Sequence, residues 1–462
     1  MDAPEQQPAE APEQLAVVLE FNARYSLFDE NGMESAGGEA RLILDDSSLG
    51  LKGAAKKARY IPLRDISETN AADYTITLGL STSEKLALSQ LGYDYENFQR
   101  ELAQRCRDLT LSDLLMEEPL KMGGLHAAYR YVDAAGAEKQ SGNCELRLYQ
   151  TALIIVPELF LPMRLPYSDI GTVEREDYRV IVRAESGEEY IFNQMGRDLE
   201  PLGRVLAEQI QSLDLAVQAL VKQLMPSADL PAIRKLATLM KEGRAARRSD
   251  IEAAGPGLWE QLEAQLTGSD AGDEYKFLKS LGQARDICIG VKRGLKAGES
   301  DYLWFMVPVY AADTSLPGNA VIMEAISAEG ESRATYVFRM VSRKDYPTFK
   351  TLAELQAQMG NFIQTTNRGL IAINFRREPI YLTNEMLTRP QYEKYRYSIA
   401  RIPELRSLRW LYIGRVIHST PEQWQADIKD LLAFNVSTQD DGKLWVKKEP
   451  EPPPPETPPG PG

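Results

Sequence analysis

The amino-acid sequence predicts an α+β protein of several domains: two tandem copies of one small β-barrel, each closed by a C-terminal helix, then a helical connector and a C-terminal α+β domain with an antiparallel sheet. Three observations predict this. Residues 20–102 align with 124–206 at a constant shift of 104 without a gap, with 21 identities in 83 positions. Each copy alternates apolar and polar residues in short runs and ends in an apolar stripe at four-residue spacing. After residue 210, helical patterns come first and strand patterns follow.

The identities are structured. Tyr25, Asp29, Gly32 and Glu34 match Tyr129, Asp133, Gly136 and Glu138, and Gly38, Leu42 and Leu44 match Gly142, Leu146 and Leu148. Asp29-Glu30-Asn31-Gly32 reads as a hairpin turn, and Leu42 and Leu44 as a half-buried strand. Pro62, Asp65 and Ile66 match Pro166, Asp169 and Ile170; the aspartates are read as turn residues bonding nearby backbone N–H groups. Asp73-Tyr74 matches Asp177-Tyr178, with the tyrosines expected in the barrel core or rim. Gly92 and Asp94 match Gly196 and Asp198, and the two aspartates are expected to cap helices. Phe98, Leu102 and Cys106 in copy one, and Leu202, Leu206 and Ile210 in copy two, make stripes able to plug a barrel end.

Seven or so antiparallel strands followed by one helix resemble the pleckstrin-homology-like (PH-like) superfold. The step Ile61-Pro62-Leu63-Arg64-Asp65-Ile66, repeated as Leu165-Pro166-Tyr167-Ser168-Asp169-Ile170 and followed by Asp-Tyr, a hairpin and the helix, carries the resemblance. It extends over 15–114 and 119–222, and is of the bacterial type of unknown role. The resemblance implies modules that bind lipids, peptides or proteins, few of them catalytic. Lipid-binding relatives use Lys and Arg in the loop after the first strand. Here Asp29-Glu30-Asn31-Gly32-Met33-Glu34 and its counterpart from Asp133 to Lys139 are acidic, which disfavours phosphoinositides.

The expected domains are 1–13 disordered, 14–114 and 115–222 as the two modules, 223–274 as a helical connector, 275–435 as the α+β domain, and 436–462 as a disordered Pro/Glu-rich tail. Asp229, Pro231 and Gly243 bracket one capped connector helix. Strands are expected over 287–292, 302–310, 320–327 and 333–341, with the last two joined by a hairpin at 328–331. A helix is expected over 351–364, a return to the sheet at 371–375, and a final helix from Thr420 carrying Trp424 and Ile428.

Composition bounds the function. The net charge of −14 argues against coating nucleic acid or an anionic membrane with the whole molecule. Three widely spaced cysteines, Cys106, Cys144 and Cys288, point to no disulfide framework and to a reducing, cytoplasmic setting. Only His126 and His418 are available for imidazole chemistry; the first reads as exposed, the second as a local hydrogen bond or cap. No phosphate-binding loop, dinucleotide fingerprint, nucleophile elbow or zinc motif occurs, so no cofactor, metal or catalytic residue is expected.

One block departs from the acidic background. From Arg368 to Arg415, nine arginines and Lys394 face four glutamates, a local excess of six positive charges interleaved with tyrosines. Arg376, Arg377, Arg396, Arg406 and Arg409, with Tyr395 and Tyr397, are the candidate partner-binding residues. A solvated helix face salt-bridged to the acidic N-terminal domains explains the same composition and is preferred. The leading function is non-catalytic protein binding or scaffolding through the tandem modules, with an unidentified protein partner; the sequence leaves the oligomeric state open. The alternatives are a hydrolase or transferase site within 275–435, and anion or nucleic-acid binding by the 368–415 block, with nucleic acid and membrane both disfavoured.

Overall fold

The structure, a computed structural model, describes residues 18–53, 58–116, 118–158, 162–292, 302–311, 313, 316, 318–326, 334–438, 440 and 442–447. The expected disorder of 1–13, the hairpin at 328–331 and the tail beyond 447 lie outside these residues.

The first module consists of β1 (Leu19–Phe28), β2 (Glu34–Leu44), β3 (Ser48–Gly53), β4 (Arg59–Pro62), β5 (Ile66–Ala72), β6 (Thr75–Leu80), β7 (Lys85–Ser89) and the helix α1 (Tyr95–Asp113). The second repeats it with β8 (Leu120–Val132), β9 (Glu138–Tyr149), β10 (Ala152–Pro157), β11 (Met163–Pro166), β12 (Ile170–Glu176), β13 (Arg179–Ala184), β14 (Glu189–Asn193) and α2 (Leu199–Leu224). The strand orders, β4-β3-β2-β1-β7-β6-β5 and β11-β10-β9-β8-β14-β13-β12, are the same. Each sheet is antiparallel, but β4 and β5, like β11 and β12, are unpaired edges. The expected closed barrels are therefore open sheets. The chain crosses each gap through a 3-10 turn, Leu63–Asp65 or Tyr167–Asp169, in place of ladder bonds.

Backbone demands explain the matched residues. Asp29 accepts from the N–H groups of Asn31 and Met33, both at 2.9 Å, and Asp133 from those of Ala135 at 3.0 Å and Ala137 at 2.9 Å. Gly32 and Gly136 follow at φ +77° and +81°, a conformation that a Cβ disfavours. Asp65 and Asp169 contribute through their backbones: their carbonyls accept from Ser81 N–H at 2.7 Å and Glu185 N–H at 2.8 Å. Asp94 makes no side-chain cap, correcting that expectation. It closes a 3-10 turn with φ −85°, a helical conformation that leaves its side chain away from the helix's first N–H groups. Asp198 likewise closes the 3-10 turn Gly196–Asp198.

Apolar packing then holds each helix to its sheet. Phe98 and Leu202 are fully buried, as are Leu102 and Leu206. Phe98 meets Phe21 edge-on at 5.1 Å. The loop end of α1 buries Leu111, Leu114 and Met116 against Tyr149, Ala152 and Ile154 of the second module.

The chain divides into two compact units, one of residues 1–165 and 169–206, the other of 166–168 and 207–462. In the second, α3 (Leu230–Leu239), β15 (Ala245–Arg247), α4 (Arg248–Ala254), α5 (Leu258–Gly268) and α6 (Gly272–Leu281) precede β16 (Cys288–Lys292), β17 (Tyr302–Val309), β18 (Ala320–Ile326) and β19 (Ala334–Arg339). There follow α7 (Leu352–Ala372), α8 (Glu378–Tyr381), α9 (Asn384–Leu387), α10 (Glu393–Arg401), α11 (Pro403–Leu411), β20 (Tyr412–Ile417) and α12 (Pro421–Ser437). A six-stranded antiparallel sheet in chain order from β15 to β20 forms its centre. The segment expected to be a separate connector shares this core: Leu236, Trp259 and Leu262 cluster with Ile289, Phe305 and Ile413. It also supplies β15, too short to show period-two patterning.

Two further expectations are corrected. Residues 371–375 do not rejoin the sheet: α7 runs to Ala372, and Asn374 and Phe375 reverse the chain at φ +49° and +59°. The tail does not begin at 436, because α12 continues to Ser437 and Trp445 donates its N–H to Ile413 O at 2.9 Å on β20. At the other edge, the Asn367 amide accepts from Ala245 N–H at 2.8 Å and donates to Ala245 O at 3.1 Å.

Candidate functional site

The arginine-rich block folds into the end of α7, α8 to α11 and β20, the strand that its composition concealed. Its side chains separate into an inner and an outer set. In the inner set, Arg377 lies over the Tyr336 ring at 5.5 Å and Arg415 over Tyr381 at 4.1 Å, while the two tyrosine rings are 6.2 Å apart. Burial pushes the Tyr336 hydroxyl up, with Arg377 and Arg415 opposing it. Arg409 donates to the carbonyls of Pro379 at 2.6 Å and Ile380 at 3.2 Å and to Asn384 Oδ1 at 3.0 Å, so it caps α8. Burial holds the Arg409 guanidinium below its ordinary value. Tyr395 is buried, stacking on Tyr392 at 6.3 Å, and Arg376 is half-buried.

The outer set sits on α10 and α11. Arg396 is exposed, lies over the Tyr397 ring at 4.9 Å and donates to its hydroxyl at 3.0 Å. Arg401 lies over the same ring at 5.8 Å. Arg406, also exposed, donates to Ala400 O at the end of α10, and Trp410 one turn later is 62% exposed. Of the seven sequence-predicted residues, the fold thus brings Arg396, Tyr397 and Arg406 to one face. Arg377, Arg409 and Tyr395 serve the packing behind it.

A second constellation joins residues distant in sequence. His418 Nε2 is 3.0 Å from Glu324 Oε1 and 3.2 Å from Thr335 Oγ1, while its Nδ1 is 3.6 Å from Glu274 Oε1. Thr335 donates to Glu324 and accepts from Trp424 Nε1 at 2.9 Å, and Trp424 stacks on the imidazole at 5.1 Å. Glu324 and Thr335 are fully buried. The Thr335 hydroxyl is engaged as both donor and acceptor, so the network ties β18, β19, α6 and α12 together. No local pattern marks these residues in the sequence. A lone His after a strand is the one visible sign.

The modules present fewer convergent groups. His126 is exposed, as expected. Tyr74 and Tyr178, at matching two-residue hairpin tips, are 80% and 84% exposed, which removes the core reading and leaves the rim. Module one has an open depression of about 570 Å³ lined by Asn22, Glu39, Arg41, Lys52 and Gln90 among others. Burial pushes the Cys106 and Cys144 thiols up to about 12, so both stay protonated near neutral pH. Among the described residues there is no group of three or more His, Cys, Asp or Glu that could hold a metal ion. None of their helices is long and apolar enough to cross a membrane.

No protein-family model matches the chain. No curated protein matches it either. Among solved structures, that of the Spt16D Pob3N heterodimer matches 37% of this chain and 84% of its own, at 15% identity and a TM-score of 0.15. A likeness so slight carries no argument about function.

Proposed function

We propose that this is a non-catalytic binding or scaffolding protein, cytoplasmic, whose tandem modules are PH-like protein-interaction domains. One observation carries the reading: the same sheet and helix are built twice, and both copies hold a solvent-facing tyrosine at the same hairpin tip. Tyr74 does so at φ +57°, where a bulky side chain is disfavoured and Gly or Asn would suit the turn. A strained residue whose ring is mostly in solvent, with Tyr95 at 5.5 Å as its one ring neighbour among the described residues, is better explained by what it meets outside the chain. The outer face of α10 and α11, with Arg396, Tyr397 and Arg406, serves as a second, peptide-binding surface. Arg376, Arg377, Arg409 and Tyr395 position it from behind.

The test is quantitative capture from the source cells by cross-linking and mass spectrometry. It compares the parent chain with Tyr74→Ala/Tyr178→Ala and with Arg396→Glu/Arg406→Glu. The expected result is loss of a distinct set of captured proteins in each variant at an unchanged melting temperature. Capture unaltered by both variants would refute the reading.

A further inference from the structure

We propose that the outer face of α10 and α11 is occupied by the chain's own C-terminal segment, residues 448–462. The inference rests on reading that face as peptide-binding and names its occupant. Trp445 is bonded to Ile413, and Lys447 Nζ pairs with Asp427 Oδ2 at 2.8 Å, so the chain is anchored on β20 and α12 just before the segment starts. Ile413 is three residues from Trp410, at most about 10 Å of chain. The 15 residues that follow Lys447 reach about 45 Å if extended as polyproline. The whole face therefore lies within their span.

The chemistry matches as well. Residues 448–462 hold eight prolines and three glutamates. Proline rings dock on exposed aromatic side chains without losing much conformational freedom, and carboxylates pair with guanidinium groups. The face offers exposed Trp410, with half-buried Tyr397, for the first, and Arg406 and Arg396, the latter also 3.5 Å from Glu393, for the second, in a stretch where Arg406 already bridges the two helices. Tethering supplies an effective concentration in the millimolar range, so weak contacts suffice.

The experiment uses the full-length chain with a photoreactive benzophenone amino acid in place of Thr457, irradiated in dilute solution, with cross-links mapped by mass spectrometry. Cross-links to α10 and α11 are expected, at a yield independent of protein concentration. That yield should fall at least about 10-fold in Arg396→Glu/Arg406→Glu, and also in Trp410→Ala, which keeps the charge. Circular dichroism matching the parent chain establishes that each variant is folded. Cross-links to the N-terminal segment, to a second copy or elsewhere on the chain would overturn the proposal, as would no cross-link or a yield unchanged in both variants. If the cross-link fails while Arg396→Glu/Arg406→Glu still loses captured proteins, the occupant is wrong and the peptide-binding reading stands. If both fail, both are wrong.

Discussion

The two modules share their strands and strand order, yet they fasten their helices differently. In the first, Arg64 forms a bidentate pair with Asp113 at the end of α1, with N···O distances of 2.9 to 3.1 Å, and the Asp113 side chain is fully buried. At the corresponding positions the second has Ser168 and Val217. Val217 belongs to the large apolar core of the second unit, together with Leu220 and Val221. The end of α1 adds a buried ion pair to its apolar contacts with the second module, whereas the matching stretch of α2 packs in hydrocarbon. The repeat preserves the turns and leaves the helix ends free to change.

Four measurements break or sharpen this contrast. Asp113→Ala leaves Arg64, whose side chain is only 12% exposed, without its carboxylate, and should cost about 3–5 kcal/mol in urea unfolding. A loss below about 1 kcal/mol would mean that water replaces the carboxylate. Phe98→Ala should cost about 3–5 kcal/mol and Leu202→Ala about 2–5 kcal/mol, because both vacate buried volume. Unaltered melting of both variants would show that these helices do not hold the sheets. Gly38→Ala and Gly142→Ala, at φ +150° and +147° with open space around each added Cβ, should each cost about 1–3 kcal/mol. Unequal costs would break the equivalence of the modules. The smallest effect separates the hairpin tips. Tyr74→Gly relieves a left-handed residue and should stabilise by up to about 1 kcal/mol. Tyr178 is not at positive φ, so Tyr178→Gly should cost about 0.5–1 kcal/mol through unfolded-state entropy. Calorimetric shifts of the same sign would contradict the assignment.

What could be read from the sequence follows the same division. Gly32, Gly38 and Gly92 recur as Gly136, Gly142 and Gly196 because each sits at positive φ in both copies, where few residues substitute. Gln90 and Gln194, at φ +58° and +56°, belong to the same class but carry no mark in the sequence, since glutamine is no turn signal. The open gap between β4 and β5 was illegible, because closure depends on sheet curl and not on any residue type. β20 was hidden by its neighbours, for a strand inside an arginine-rich block reads as part of a charged face. The inner and outer arginines look alike in sequence; only tertiary packing makes Arg409 a helix cap and leaves Arg406 exposed. Glu324, Thr335 and His418 were beyond reach because they meet across as many as 94 positions.

A sheet whose outermost peptide groups are unmatched can be copied by the next molecule, strand upon strand, into an insoluble assembly. The sheet of the second unit meets this hazard with two single residues, the Asn367 amide on β15 and the Trp445 peptide on β20. Each acts as a terminator, satisfying the edge with a group that offers little edge of its own. Both edges of this sheet thus end on single residues that neither its core nor its binding surfaces would reveal, whereas β4, β5, β11 and β12 of the modules keep open edges.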